Sequence, residues 1–323
     1  MDITSLDYFI EATKELNLTK TATRLFMSQQ TLSNHINRLE TELGVKLFYR
    51  KPKLALTDAG RALLSFSHNV IVERSNLVNR LADIEGEKTG LLRLGASHLR
   101  ARTGLPNILP RFYETCPKVS VSLTADNSIN LVQMLKRGDL DMALSVIGEE
   151  EMGLDAELLL NDQLYICVAD RLLKKYYSPK EIAAIKKKSV EGAYVGDFAK
   201  LPFAICIPPN KRGETIANCF EEAGVTPNVY LSSTSVLLFN SITINALAAC
   251  FISHTGLAEA IHTFPEDVNI FPLYYQGKPS SQTLYLIKAR GHYLSSYMHT
   301  FADLLRDYYQ GVAVKNLTRA AKD

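Results

Sequence analysis

The chain has 323 residues and 46% hydrophobic side chains, enough for two or three domains with cores of their own. Thirty-six basic residues against 34 acidic ones leave a net charge of +2, which excludes a polyanion-binding character spread over the whole molecule. Five cysteines (Cys116, Cys167, Cys206, Cys219 and Cys250) show neither a C-x-x-C pair nor metal-ligand spacing, so no metal site is expected and buried free thiols in a reducing compartment are the default.

The opening MDITSLDYF is acidic and reads as the start of a helix, not as a signal peptide. A first helix is expected over 5–16, with Leu6, Phe9, Ile10 and Leu16 facing a core. Residues 16–43, LNLTKTATRLFMSQQTLSNHINRLETEL, then read as two helices around a short turn at Phe26-Met27. Thr19 is the expected N-cap of one, and Ser28 of the next, which runs from Gln29 to about Leu43. In that second helix Leu32, Ile36, Leu39 and Leu43 share one face, while Gln30, Asn34, Asn37 and Thr41 point away, flanked by Gln29, Thr31, Ser33 and Arg38. Amides, hydroxyls and a guanidinium on an outer face suit base readout in the major groove. Between residues 20 and 56, seven basic residues face two acids, a local excess of five that suits phosphate.

Residues 47–56, LFYRKPKLAL, read as a β-hairpin with Pro52 in its turn and Arg50, Lys51 and Lys53 at its tip, a basic wing beside the reading helix. Thr57 caps a long helix reaching about Glu87. Its apolar residues Leu63, Val70, Leu77 and Ile84 lie seven apart, a stripe that requires a partner. Lys88-Thr89-Gly90 reads as a hinge. From Leu91 the pattern changes to strands at 91–97, 119–125 and 142–147 alternating with helices at 105–115 and 129–137, which implies parallel strands. Further strands are expected at 164–168, 203–207, 229–232 and 283–287, with helices near 214–223, 235–248 and 294–309. The lysine-rich stretch 174–191 reads as a solvated helix face, and 311–323 as a frayed tail. No charged residue occurs from Ala223 to Ala258, but Pro227 and a series of Asn, Ser and Thr interrupt that run. It reads as α/β core and not as a bilayer span, so a soluble, cytoplasmic protein is expected.

The first sixty residues resemble the LysR-type transcriptional regulators. Leu6, Phe9, Ala22, Leu25, Ser28-Gln29, Leu32-Ser33, Ile36, Leu39-Glu40, Leu43-Gly44, Leu47-Phe48, Arg50, Leu56-Thr57 and Ala59-Gly60 stand in order at that family's spacing. Asn17, Thr21 and Gln30 depart from its pattern, and Gln30 lies on the reading face. LVQMLKRGDLDMALS (131–145) is similar to part of the family's effector domain. The resemblance implies an α/β chain in three parts. A winged helix-turn-helix (1–58) contacts double-stranded promoter DNA, and a linker helix (59–88) pairs with its twin in a dimer, with dimers assembling into a tetramer. The third part is a two-lobed effector domain like the type 2 periplasmic binding proteins (89–323; lobe I about 89–163 and 272–323, lobe II about 164–271), which binds a small-molecule effector.

In open α/β sheets ligands sit beyond the carboxyl ends of strands. Here those ends offer Ser97, His98, Arg100, Asn127 and Ser128 from one lobe, and Phe203, Ser232, Ser233, Thr234 and Ser253 from the other. Hydroxyls, an imidazole and a guanidinium beside helix N-termini suit a carboxylate. An enzyme on this scaffold is the rival reading. No P-loop, G-x-G-x-x-G, H-E-x-x-H or G-x-S-x-G is present, and the adjacency of Ser97 and His98 prevents the ordinary nucleophile–base pairing, so neither catalysis nor a cofactor is expected.

Overall fold

The structure, a computed structural model, describes residues 1–51, 53–86, 88–147, 153–207 and 210–321. Pro52 and Glu87, the expected wing turn and helix end, lie outside them. The N-terminal unit packs α1 (Ile3–Glu15), α2 (Leu18–Arg24) and α3 (Gln29–Leu43) against a hairpin of β1 (Phe48–Tyr49) and β2 (Ala55–Leu56). Its core joins Leu6, Phe9, Ala12, Ile36, Leu39, Leu47, Phe48 and Leu63. Ser28 caps α3 by accepting from the Thr31 amide. The cap of α2 is Asn17, whose Oδ1 accepts from the Lys20 N–H, and not Thr19. Leu16 and Leu43 are 42% and 41% exposed, because each lies where a helix leaves the core. Leu16, in fact, adopts the left-handed conformation that ends α1. Phe26 makes the turn at φ +55° and is 98% exposed.

Thr57 caps α4 (Asp58–Ile84) through the Gly60 amide. Its 27 residues make a rod of about 40 Å. The heptad file divides along that rod. Leu63, Leu64 and Val70 pack on the N-terminal core, whereas Leu77, Val78, Leu81 and Ile84 are more than half exposed. Val70 therefore does not belong to the open stripe. The opposite face of α4 is polar and buried, with Asn76 and Asn79 turned toward the rest of the chain. The Asp83 carboxylate accepts from the Ser296 amide (3.0 Å), from Ser296 Oγ (2.6 Å) and from Tyr293 Oη (2.8 Å).

Beyond the linker helix come β3 (Thr89–Ala96), α5 (His98–Thr103), α6 (Leu105–Thr115), β4 (Lys118–Ala125), α7 (Ser128–Lys136), β5 (Met142–Ser145) and β6 (Leu154–Ala169). Then follow α8 (Asp170–Tyr176), α9 (Pro179–Ser189), β7 (Pro202–Cys206), α10 (Lys211–Glu222), β8 (Asn228–Ser233), α11 (Phe239–Ile244), β9 (Ala249–Ser253) and α12 (His254–Ala260). The chain closes with β10 (Val268–Pro272), the short hairpin β11 (Tyr274–Tyr275) and β12 (Lys278–Pro279), β13 (Ser281–Ala289) and α13 (Ser296–Ala313). A nine-stranded sheet runs in the order β4-β3-β5-β13-β6-β9-β7-β8, with β10 also on β6. The pairs β3–β4, β3–β5, β7–β8 and β7–β9 are parallel, as strand–helix alternation requires, while β6, β10 and β13 return antiparallel. The long strand β6 changes partner midway: Gln163 and earlier residues pair with β13, Leu164 and later ones with β9 and β10. Apolar cores sit on either side of that change, one around Phe112, Phe301 and Leu305 with a smaller cluster around Leu131, Leu135 and Ile287, the other around Phe203, Phe251 and Phe271.

Other expectations fail locally too. The helix expected over 235–248 shrinks to six residues, and Ala246 at φ +52° turns the chain back into β9. The tail is not frayed as far as Ala321. Arg319 donates to the Val268 and Pro265 carbonyls, and the Ala321 amide donates to buried Asn269. The lysine-rich segment contributes to that anchor, because Lys186 reaches from α9 to the Ala321 carbonyl (3.0 Å) and to Asp170 (2.7 Å).

Candidate functional sites: a reading helix and an inter-lobe cleft

The outer face of α3 begins at its cap and runs into solvent. Gln29, Gln30, Thr31, Asn34, Asn37 and Arg38 are exposed, and Ser33 is half-buried. Not all are equally free. Thr31 is tied into the cap through Ser28 Oγ (2.8 Å), and Arg38 is paired with the Asp2 carboxylate that caps α1. Asn37 Oδ1 accepts from the Arg50 guanidinium at 2.6 Å, which braces the wing against the reading helix and occupies the oxygen that adenine readout would use. Among the described residues, the Gln30 and Asn34 amides make no side-chain hydrogen bond. Lys51 and Lys53 are exposed, with no ion pair among the described residues. Underneath, Glu40 is a buried carboxylate. Burial pushes its pKa up, but Lys46 Nζ (2.6 Å) and the Leu47 amide (3.0 Å) outweigh burial and hold it below the ordinary range. That carboxylate fixes the entry to the wing, a role that an amphipathic pattern does not reveal.

The second site is a cleft of about 610 Å³ between the two halves of the sheet. Of the ten residues expected there, Ser97, His98, Arg100, Asn127, Ser128 and Thr234 line it. Ser97 and Asn127 cap α5 and α7 at the ends of β3 and β4, and Ser128 Oγ accepts from the Val146 amide. Phe203, Ser232, Ser233 and Ser253 do not line it. Phe203 is wholly buried, stacked on Phe251 at 5.8 Å, and Ser253 is wholly buried beside Thr255. Ser232 is exposed off the cleft, and Ser233 Oγ accepts from the Ser235 amide. Alternation along a strand puts these side chains on the wrong face or under the helix that follows.

Arg100 also differs from expectation. Its guanidinium is buried and already balanced, donating to Asp162 (2.7 Å) and Thr255 Oγ1 (3.2 Å). Asp162, on β6, accepts in turn from the Thr255 amide (2.9 Å) and hydroxyl (2.8 Å). This junction ties one lobe to the other at the floor of the cleft, and its carboxylate is unremarkable in sequence. Sequence reasoning also missed the wall formed by Asn210, Lys211 and Arg212. Asn210 caps α10 by accepting from the Arg212 amide (3.0 Å) and donates to the Thr234 carbonyl (3.4 Å). A signal was available: two cations in the first turn of a helix oppose its dipole.

The five cysteines are buried and free, and burial pushes the thiols of Cys206, Cys219 and Cys250 up, the last to about 12. Such thiols are poor nucleophiles. Cys206 and Cys219 form no disulfide here. No group of metal-ligating side chains occurs among the described residues, and no helix among them is long and apolar enough to cross a membrane.

Two family models match the chain, one over each part. Residues 3–61 match the model of the bacterial regulatory helix-turn-helix protein, lysR family, and residues 85–310 match the LysR substrate binding domain. An uncharacterised HTH-type transcriptional regulator, YcgK of Bacillus subtilis, is 24% identical over 315 residues, 95% of this chain and 94% of that protein. The HTH-type transcriptional regulator cbl of Escherichia coli is 35% identical over 151 residues, and the match spans only 46% of either chain. Among solved structures, full-length CbnR superposes with a TM-score of 0.59 at 19% identity, covering 98% of this chain and 100% of that one. A full-length OxyR variant from Pseudomonas aeruginosa reaches 0.70 at 17% identity, covering 100% and 99%. With both parts of the chain matched by family models, the protein belongs to the LysR family and is a DNA-binding transcriptional regulator with a substrate-binding domain.

Proposed function

We propose that this regulator reads promoter DNA with α3 and that a small, carboxylate-bearing metabolite in the inter-lobe cleft sets how it does so. The observation that carries the reading is the convergence of polar groups from both lobes on one cavity: Ser97, Asn127 and Ser128 face Asn210, Arg212 and Thr234. Of the cations that line it, Arg100 and Lys211 are paired with Asp162 and Glu214, Arg212 has no carboxylate partner among the described residues, and the one lining carboxylate, Asp126, is held within its own loop, which favours an anion. A structural neighbour, LysG of Corynebacterium glutamicum, was solved with bound effector Arg at a TM-score of 0.62, and CbnR with its target DNA at 0.59. We assign DNA contact to 1–58, pairing of two chains to the helix within 59–88, and effector binding to 89–323. The exposed Leu77, Val78, Leu81 and Ile84 are the face that a second copy would cover, giving a dimer and, from dimers, a tetramer.

On this reading Gln29, Gln30, Ser33 and Asn34 discriminate bases, while Arg50, Lys51 and Lys53 hold phosphates. The test is fluorescence anisotropy with operator DNA selected from random sequence by the full-length protein. Asn34→Ala should weaken selected DNA by about 1–3 kcal/mol and leave random DNA unchanged, and Lys53→Ala should weaken both with a salt slope flatter by about one unit. Equal losses of Asn34→Ala on both DNAs would remove α3 as the reader.

A further inference from the structure

The charges at the floor of the cleft do not balance. Arg100 is neutralised by Asp162 at 2.7 Å, and Lys211, at the rim, pairs with Glu214 at 3.0 Å. Asp126 accepts from the Asn127 amide (2.7 Å) and from Asn130 Nδ2 (3.0 Å), held within the loop that caps α7. Arg212 has no such partner. It is only 5% exposed, its Nε has no hydrogen bond, and its guanidinium makes no ion pair among the described residues. Burial lowers its pKa, partly offset by the more distant Asp162. A guanidinium stripped of water without a counter-charge is costly, and this one also stands in the first turn of α10, where the helix dipole opposes it. A Cβ on the next residue, Gly213, would lie 2.6 Å from the Cys206 carbonyl oxygen, so the start of α10 is pressed against the end of β7. Groups that break a local rule and are held rigidly in a cavity are the mark of a binding site.

Of the remaining lining, Ser145, Ser235 and Gln282 are polar and the rest is apolar. Leu99, Ile129, Val146, Val236, Leu237 and Leu284 come from both lobes and surround the space into which Arg212 faces. We infer that the cleft takes an organic monoanion with an apolar body, its carboxylate held by Arg212 of lobe II and not by Arg100. This rests on the cleft being the effector site and goes beyond it in naming the anchor and the ligand class. The planar fork of the guanidinium matches a carboxylate with two parallel hydrogen bonds, and the ligand supplies the charge that the fold withholds. The aliphatic walls desolvate the body of the ligand, so charge alone does not suffice. An unliganded molecule carries the uncompensated cation, and ligand binding relieves it.

Matched probes separate charge from shape in thermal melts of the full-length protein at low ionic strength: benzoate with benzamide, hexanoate with hexanamide, and inorganic sulfate. Each acid should raise the melting temperature by about 2–4 °C at millimolar concentration, its amide and sulfate by much less. Arg212→Met should melt above the wild type without ligand, because a buried unpaired charge is replaced by an apolar chain of similar length. It should also respond to acid and amide alike. Arg212→Gln repeats the second arm if the methionine variant does not fold. The inference is overturned if acid and amide shift the wild type equally, if neither does, if sulfate matches the acids, or if the Arg212 variants keep the acid preference. Ser128→Trp, which fills the cleft from the other lobe, separates the two readings. Loss of the acid shift in Ser128→Trp but not in Arg212→Met removes only the anchor. An acid shift that survives Ser128→Trp removes the cleft as the site.

Discussion

Single side chains decide how firmly the reading surface is held. Glu40 is buried 2.6 Å from Lys46 and bound by the Leu47 amide, so its folded pKa lies below that of the unfolded chain. A depressed carboxylate stabilises the fold above the unfolded pKa and loses that contribution as pH falls through the folded value. Glu40→Gln should therefore destabilise the chain by about 1–3 kcal/mol at neutral pH. The difference from wild type should shrink as the solution is acidified below pH ~4, which urea melts at several pH values would show. A difference independent of pH would mean that the ionised form is not what matters. Individual residues were only partly legible in the sequence. Periodicity exposes which face of α3 is polar, but it cannot show that Asp2 pairs with Arg38 or that Arg50 takes the oxygen of Asn37, since those partners lie 36 and 13 residues away.

At the scale of elements, local signals carried well where they were local. Ser28 and Thr57 cap the helices they precede, and the basic hairpin forms where LFYRKPKLAL places it. They carried less well where distant contacts decide. The tail 311–321 has no periodicity of its own and is fixed by carbonyls near Val268 and by Lys186. The α4 helix shows both behaviours: its seven-residue spacing was legible, but not the division of labour along it. Leu77 and Leu81 belong to the exposed stripe and Val70 to the N-terminal core. Leu77→Asp with Leu81→Asp should yield a folded monomer by light scattering at low micromolar concentration, because the charges fall where two helices would exclude water. Val70→Asp should instead destabilise the DNA-binding unit, and a Leu77/Leu81 double variant that stays dimeric would place the interface elsewhere.

Across the whole molecule, polar contacts among the described residues help join the parts. Strand β6 passes through both lobes, the Arg100–Asp162–Thr255 junction locks them at the floor of the cleft, and Asp83 ties α4 to the start of α13. Strand–helix alternation made the parallel strands legible, while the two-lobed plan came from the resemblance to the LysR family. The cleft wall at Asn210–Arg212 was not legible, because nothing local says which helix start faces a cavity. A ligand that bridges the lobes can act on DNA only through differential affinity for two arrangements of these connections. The most direct measurement is the affinity of full-length protein for its selected operator with and without the cleft ligand, in the wild type and in Ser97→Ala with Thr234→Ala. Ligand should change operator affinity by about fivefold or more in the wild type, and the double variant should need much more ligand for the same change. Operator affinity that is indifferent to saturating ligand, or a ligand response unchanged in the double variant, would contradict it.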